Sequence, residues 1–218
     1  MPKIVDHGAR REEVTRAALE LVARGGRRAA TVRALADATG WSAGAVRHYV
    51  PSTAALESLM LEHVAGQVQR RVGDVVRNGR NDGLDPVELV AHMVEQILPL
   101  DAERDAEHRI WLALYVDPGI AAEELSWAWT GKRMFHRQLV LLLAGAETVP
   151  DYPEELPREQ ERLAGHLHAF IDGLALRLAS GWVEPRPPQE DLRDMLRVLA
   201  ARSVELGKVS SAPSPAQG

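Results

Sequence analysis

The stretch that decides the fold is Thr31–Val50, TVRALADATGWSAGAVRHYV. Thr31 is a good helix N-cap, and Val32, Leu35 and Ala36 follow at the spacing of one helical face up to Gly40. A second short helix begins at Ser42 and runs to about Tyr49, because the residue before Pro51 is driven out of helical backbone. Gly40 allows the sharp reversal between them, where a positive φ would penalise a side chain. Ala36 and Val46 are compact enough for a close helix crossing, and Trp41 is placed to cover the corner. Two short helices joined by Thr39, Gly40 and Trp41 make a helix-turn-helix, whose second member fits a DNA major groove.

The outward positions of that second helix are Ala43, Gly44, Arg47 and His48. Among them Arg47 alone has the reach and the paired donors to read guanine O6 and N7. Thr31, Arg33, Ser42, Tyr49 and Thr53, with the helix-terminal amides at 42 to 44, are expected to hold backbone phosphates. Such contacts set register without reading sequence.

Working outward, residues 10 to 24 place Val14, Ala17, Ala18, Leu21 and Val22 on one face, with Gly25-Gly26 as a stop. A longer helix is expected from Ser52 to about Val76, with Leu56, Leu59, Met60, Val64 and Val68 inward. RNGRNDGLDP, residues 77 to 86, reads as a loop. Further helices are expected near 86–98, 102–116, 119–144, 153–181 and 188–206, and strand-like alternation is nearly absent. The fold class is therefore all-α, about nine helices: a helix-turn-helix domain over 1–51, a larger helical domain over 52–206, and a disordered tail over 207–218, rich in Ser and Pro.

Composition narrows the function. Apolar residues make up 45% of 218, enough for a packed core. There is no cysteine, which excludes a disulfide scaffold, a thiolate metal site and a cysteine nucleophile. No signal peptide and no apolar run of membrane-spanning length is visible, so a cytoplasmic protein that does not enter membranes is expected. The net charge of −5 hides a split. Residues 1 to 50 carry nine basic and five acidic side chains, and the remainder 17 basic and 26 acidic. A basic module facing a polyanion, fused to an acidic body, has this pattern.

Residues 11 to 61 resemble the DNA-binding domain of the TetR family of bacterial transcription regulators, in the order EEVTRAALELVARGG, TVRALADATGWSAGAVRHYV, PSTAALESL. The resemblance implies an N-terminal three-helix DNA module, a connecting fourth helix, and a larger helical domain for ligand binding and dimerisation. RIWLALYVDPGIA at 109–121 and IDGLALRL at 171–178 are similar to its betaine-regulator-like branch. By this resemblance Thr31, Ser42, His48 and Tyr49 hold the DNA backbone or stabilise the recognition helix, and Arg33 faces DNA. The chain departs from the family at Ala43 and Thr53, where lysines are common, at Arg47, where tyrosine is common, and at Val50, where phenylalanine is common. Losing two lysines lowers the expected salt dependence of binding.

In the larger domain, Leu163, Leu167, Phe170, Leu174 and Leu178, then Leu192, Leu196 and Leu199, form two apolar stripes. These are expected to pair with a second copy in a homodimer that presents two recognition helices to a pseudo-palindromic operator. Periodicity alone equally allows them to bury the protomer's own core. Met93, Trp111, Tyr115, Trp127, Met134, Phe135 and Phe170 are the candidate lining of a small-molecule pocket, for which an aromatic or cationic effector is favoured. The helix from 52 to 76 is expected to couple that pocket to the DNA module, so that the ligand releases a repressor from its operator.

Enzyme chemistry finds no foothold: no catalytic residue, cofactor or metal is expected. HExxH, phosphate-loop and GxSxG patterns are absent. His63, His92, His108, His136, His166 and His168 read as polar surface or pocket residues, and His166 and His168, two apart on a helix, point to different faces. The remaining rival is an all-helical ligand-binding or interaction protein without sequence-specific DNA binding, supported by Ala43 and Thr53.

Overall fold

A computed structural model describes residues 6–115, 126–150, 153, 155–181 and 186–210, with the side chains of 114, 115 and 205–210 excepted. Among the described residues there are nine α-helices and no strand. The chain packs as two compact units, residues 1–70 with 101–127, and residues 71–100 with 128–218.

The first unit holds α1 (His7–Gly25), α2 (Val32–Thr39), α3 (Ala43–Tyr49), the start of α4 (Thr53–Asn81) and α6 (Ala102–Tyr115). Helix α1 begins three residues earlier than expected because the Asp6 carboxylate accepts from the Ala9 amide at 3.1 Å. Its core is Val14, Ala18, Val22, Leu35, Val46, Val50, Leu56, Leu59, Met60, Leu61, Val64 and Ile110. Because Ile110 and Trp111 pack into this cluster, α6 belongs with the N-terminal helices, whereas a boundary at 51/52 assigns it to the larger domain. A short 3-10 turn, Arg27–Ala29, follows α1, and its Arg27 pairs with the buried Glu57 of α4.

The second unit holds the end of α4, then α5 (Pro86–Glu95), most of α7 (Ser126–Leu143), α8 (Arg158–Ala179) and α9 (Pro188–Ser210). The expected loop over 77–86 shrinks to the residues after Asn81. Helix α4 continues through Gly79, where a Cβ would stand 2.8 Å from Leu89 Cδ1, so this glycine serves close packing. Gly83, at φ +66°, makes the turn, and Asp85 with Pro86 starts α5. Helix α8 starts at Arg158, after Pro157, later than the expected 153. Helix α9 continues to Ser210, four residues past the expected end at 206; residues 211–218 of the expected tail lie outside the described residues. So do residues 119–125 of the expected 119–144 helix and the second half of the 109–121 segment.

Six leucines of the stripes expected at a dimer interface go into the protomer's own core. Leu163, Leu167, Leu174, Leu192, Leu196 and Leu199 are buried within the protomer, in one cluster with Leu89, Val90, Val94, Leu139 and Leu143, and Phe170 and Leu178 pack against it. The reason is that residues of α5, α7, α8 and α9 in the same protomer already cover these leucines. What these helices leave exposed is a second face, Gly165, Ala169, Gly173 and Leu176 on α8 and Val198 and Ala201 on α9.

Candidate functional site

The helix-turn-helix is built by local capping. The Thr31 hydroxyl accepts from the Ala34 amide at 3.1 Å and opens α2. Gly40 closes it in left-handed backbone, φ 71° and ψ 18°, a conformation penalised for any residue with a Cβ. The Ser42 hydroxyl accepts from the Ala45 amide at 3.2 Å and opens α3. Thr31 and Ser42 are exposed while capping, so each stands at the start of a helix with its hydroxyl turned to its own backbone.

Burial sorts α3 cleanly. Val46 is 0% exposed and Val50 is buried with it in the core of the first unit. Ala43, Gly44, Arg47 and His48 are exposed, as are Arg33 on α2 and Thr53 at the start of α4. Arg28, Arg33 and Arg47 make no ion pair among the described residues, whereas Arg16 and Arg24 are spent on Glu12 and Glu20. Three arginines at α2, α3 and the turn before them thus keep their charge for a partner, with Asp37 of α2 the exposed carboxylate beside them.

Tyr49 is half-buried, and its hydroxyl lies 3.1 Å from His7 Nδ1. Around it Trp41 sits 5.5 Å away and His48 5.0 Å away, ring centre to ring centre. The Arg10 guanidinium lies 4.6 Å over the Trp41 ring. Trp41 thus covers the corner as expected. His7 and Arg10 escaped the sequence reading, because nothing in the spacing of residues some forty apart announces that the first turn of α1 reaches the end of α3.

The expected small-molecule residues do not gather in one unit. Trp111 packs in the core of the first unit and Trp127 is exposed. Met93 is buried in the core of the second, and Phe135 and Phe170 pack against that core. Met134 is half-buried, its sulfur 4.0 Å from Arg137 Nη1, and the side chain of Tyr115 lies outside the described residues. The sequence reading missed a polar cluster between α7 and α8. Lys132 donates to both oxygens of Asp172, at 2.7 and 2.9 Å. His136, read from the sequence as a surface or pocket residue, is not at the surface: it is 1% exposed and stacked on His168 at 4.5 Å. Two polar pairs at four-residue spacing, Lys132 with His136 and His168 with Asp172, were the available signal.

Environment sets the charges of this cluster. Burial pushes His136 down to about 4, so its ring is neutral near pH 7. Burial opposes ionisation of Asp172, but His168 and Lys132 beside it prevail and hold the carboxyl near 2. Burial also lowers the Lys132 ammonium, while Asp172 pulls the other way. Among the described residues no group of three His, Asp or Glu is placed to hold a metal ion, and no helix is long and apolar enough to cross a membrane.

Known proteins share this architecture. The family model for the C-terminal part of BetI-type transcriptional repressors matches residues 86–205. The chain is 28% identical over 182 residues to the HTH-type transcriptional regulator PksA of Bacillus subtilis, covering 81% of this chain and 82% of that protein. It is 29% identical over 182 residues to the regulator BetI of Cronobacter sakazakii, covering 82% and 84%. A transcriptional regulator from Rhodococcus sp. Rha1 superposes with a TM-score of 0.68 at 26% identity, covering 89% of this chain and 96% of that one. A regulator from Saccharomonospora viridis, solved in complex with choline, shares the fold at a TM-score of 0.68 and 18% identity, covering 89% and 97%. With a helix-turn-helix whose outer face is free and cationic, and a family model matched over more than half its length, the chain belongs to the TetR family of transcriptional regulators, with a C-terminal domain of the BetI type.

Proposed function

We propose that the chain is a cytoplasmic repressor that binds a pseudo-palindromic operator as a homodimer and is released from it by a small molecule. The observation that carries the reading is the outer face of α3, where Arg47 is exposed and unpaired directly beside the fully buried Val46. A rod held from beneath by one valine, with a guanidinium outward, can enter a major groove and read guanine without unfolding anything. Arg33, Ser42, Tyr49, Thr31 and Thr53, with Ala43, Gly44 and His48, surround it as the phosphate-facing rim.

The second copy is assigned to the exposed face of α8 and α9. Beside Gly165 and Gly173 a Cβ would meet nothing within 4 Å, and Leu176 and Val198 stand 55% and 66% exposed. Small residues next to uncovered apolar ones permit close helix packing, and a twofold operator calls for a twofold partner. Helix α4 contributes residues to both units and is the covalent route by which an effector would alter the DNA-binding unit. A BetI-type relative by sequence and a choline-bound relative by fold support a small organic effector.

Selection from a random duplex library by the full-length protein tests the reading. An enriched inverted repeat is the expected result. Retention of all duplexes alike, or of none, favours an interaction protein without sequence-specific DNA binding, the reading that Ala43 and Thr53 suggest.

A further inference from the structure

The polar cluster of α7 and α8 is graded in exposure. The Asp172 and His168 side chains are 37% and 27% exposed, Lys132 is 14% exposed, and His136 is 1% exposed. Asp172 is its exposed edge and His136 its buried one, against whose ring Phe135 stands edge-on at 5.8 Å.

At the closed end one atom is left over. His136 Nδ1 lies 2.7 Å from the carbonyl oxygen of Lys132, one turn earlier. A carbonyl only accepts, so Nδ1 carries the proton and Nε2 is a bare acceptor. Nε2 is buried and has no partner among the described residues. His168 Nε2 lies 3.1 Å from Asp172 Oδ2, on the exposed side of the cluster. A buried acceptor with no donor carries a desolvation cost that a bound donor removes.

Charge decides what that donor is. Lys132 is paired with Asp172 and the His136 imidazole is neutral, so neither is free to draw an anion to the buried end. A cation would have to displace Lys132 from both oxygens of Asp172.

We infer that this cluster is the polar end of the effector site and that it takes an uncharged hydroxyl group, whose O–H donates to His136 Nε2. The inference rests on the reading of the chain as a ligand-released regulator and narrows it: the aromatic or cationic effector expected from the sequence gives way to a neutral alcohol, with apolar packing from neighbours such as Phe135 for the remainder.

The test uses full-length protein carrying 15N-labelled histidine. It is titrated with benzyl alcohol, cyclohexanol and 3,3-dimethylbutan-1-ol, each beside its methyl ether, and with choline as a charged alcohol. At least one neutral alcohol is expected to shift the His136 Nε2 resonance and to bind about tenfold more tightly than its ether. His136→Phe should abolish that preference while keeping an aromatic ring in place; if it does not fold, the alcohol and ether pairs on the native protein decide. The inference is overturned if no alcohol shifts the resonance, if ethers bind as well as alcohols, if choline is preferred to its neutral isostere, or if Nε2 holds only a water that no alcohol displaces. Operator affinity measured in parallel separates the two readings. An alcohol that binds at His136 without loosening DNA supports the site and removes ligand release. Release by compounds that leave His136 unshifted overturns the site and keeps the regulator.

Discussion

The Tyr49 hydroxyl lies 3.1 Å from Nδ1 of His7, which joins the last residue of the recognition helix to the first residue of α1. A phenol so held is presented at a fixed angle beside the exposed His48, and a group fixed in advance loses little entropy on meeting a phosphate. Tyr49→Phe is expected to weaken binding to every duplex by a similar few-fold factor, leaving sequence preference and the melting temperature nearly unchanged. Fluorescence anisotropy on the selected operator and on a scrambled duplex measures both. Loss confined to the operator would assign Tyr49 to base reading instead.

Arg47→Ala should behave in the opposite way. Removing a bidentate guanidinium from a base edge costs about 1 to 3 kcal/mol at a single operator position and relaxes discrimination there. Competition among operators substituted position by position measures it. An equal loss on all sequences would make Arg47 a phosphate contact.

Two substitutions on one helix separate core from interface. Leu196 is completely buried in the protomer, so Leu196→Ala is expected to cost about 2 to 5 kcal/mol in denaturant unfolding. Val198, two residues on, is exposed, and Val198→Asp should leave protomer stability within about 0.5 kcal/mol while converting dimer to monomer in sedimentation experiments. A dimer that survives Val198→Asp, Ala169→Arg and Gly173→Arg together would place the partner elsewhere.

The buried imidazole predicts an acid-labile fold. His136 titrates near 4 in the folded chain against an ordinary 6.5, so between these values the unfolded chain binds the proton first. Its neutral burial therefore contributes fully above about pH 6.5, and that contribution falls away as pH drops toward 4, by about 3 kcal/mol in all. Asp172 acts lower on the scale: held near 2, it stabilises above its ordinary value of 3.8 and loses that effect as pH falls through 2. Because its carboxylate is more than a third exposed, solvent screening reduces this second contribution to about 1 kcal/mol. Urea unfolding at pH 7, 5.5 and 4.5 should show the first slope in the native chain and its absence in His136→Phe.

Gly40 sits in left-handed backbone with open space around the missing Cβ, so strain and not crowding sets the cost of replacing it. Gly40→Ala is expected to lower stability by about 1 to 2 kcal/mol and to weaken operator binding in proportion to the misplacement of α3. Calorimetry and anisotropy on the same samples measure the two effects.

Whatever depends on a few neighbouring residues was legible in the amino-acid order. Thr31 and Ser42 cap, Gly40 turns, Pro51 stops α3, and the alternation of Val46 with Arg47 tells the inner side of a short rod from the outer. These are contests between nearby groups, and the surrounding fold does not reverse them. Helix length at Gly79 was not legible, because a glycine that ends one helix lets another pass close to a leucine, and only the packing against Leu89 distinguishes the cases. Nor was the role of Leu163, Leu167 or Leu196, since a stripe at helical spacing declares a face apolar without declaring what covers it. The meeting of His7 with Tyr49 and of His136 with His168 likewise belongs to tertiary structure alone. Each pair is brought together by helix packing across a separation in sequence at which periodicity carries no information.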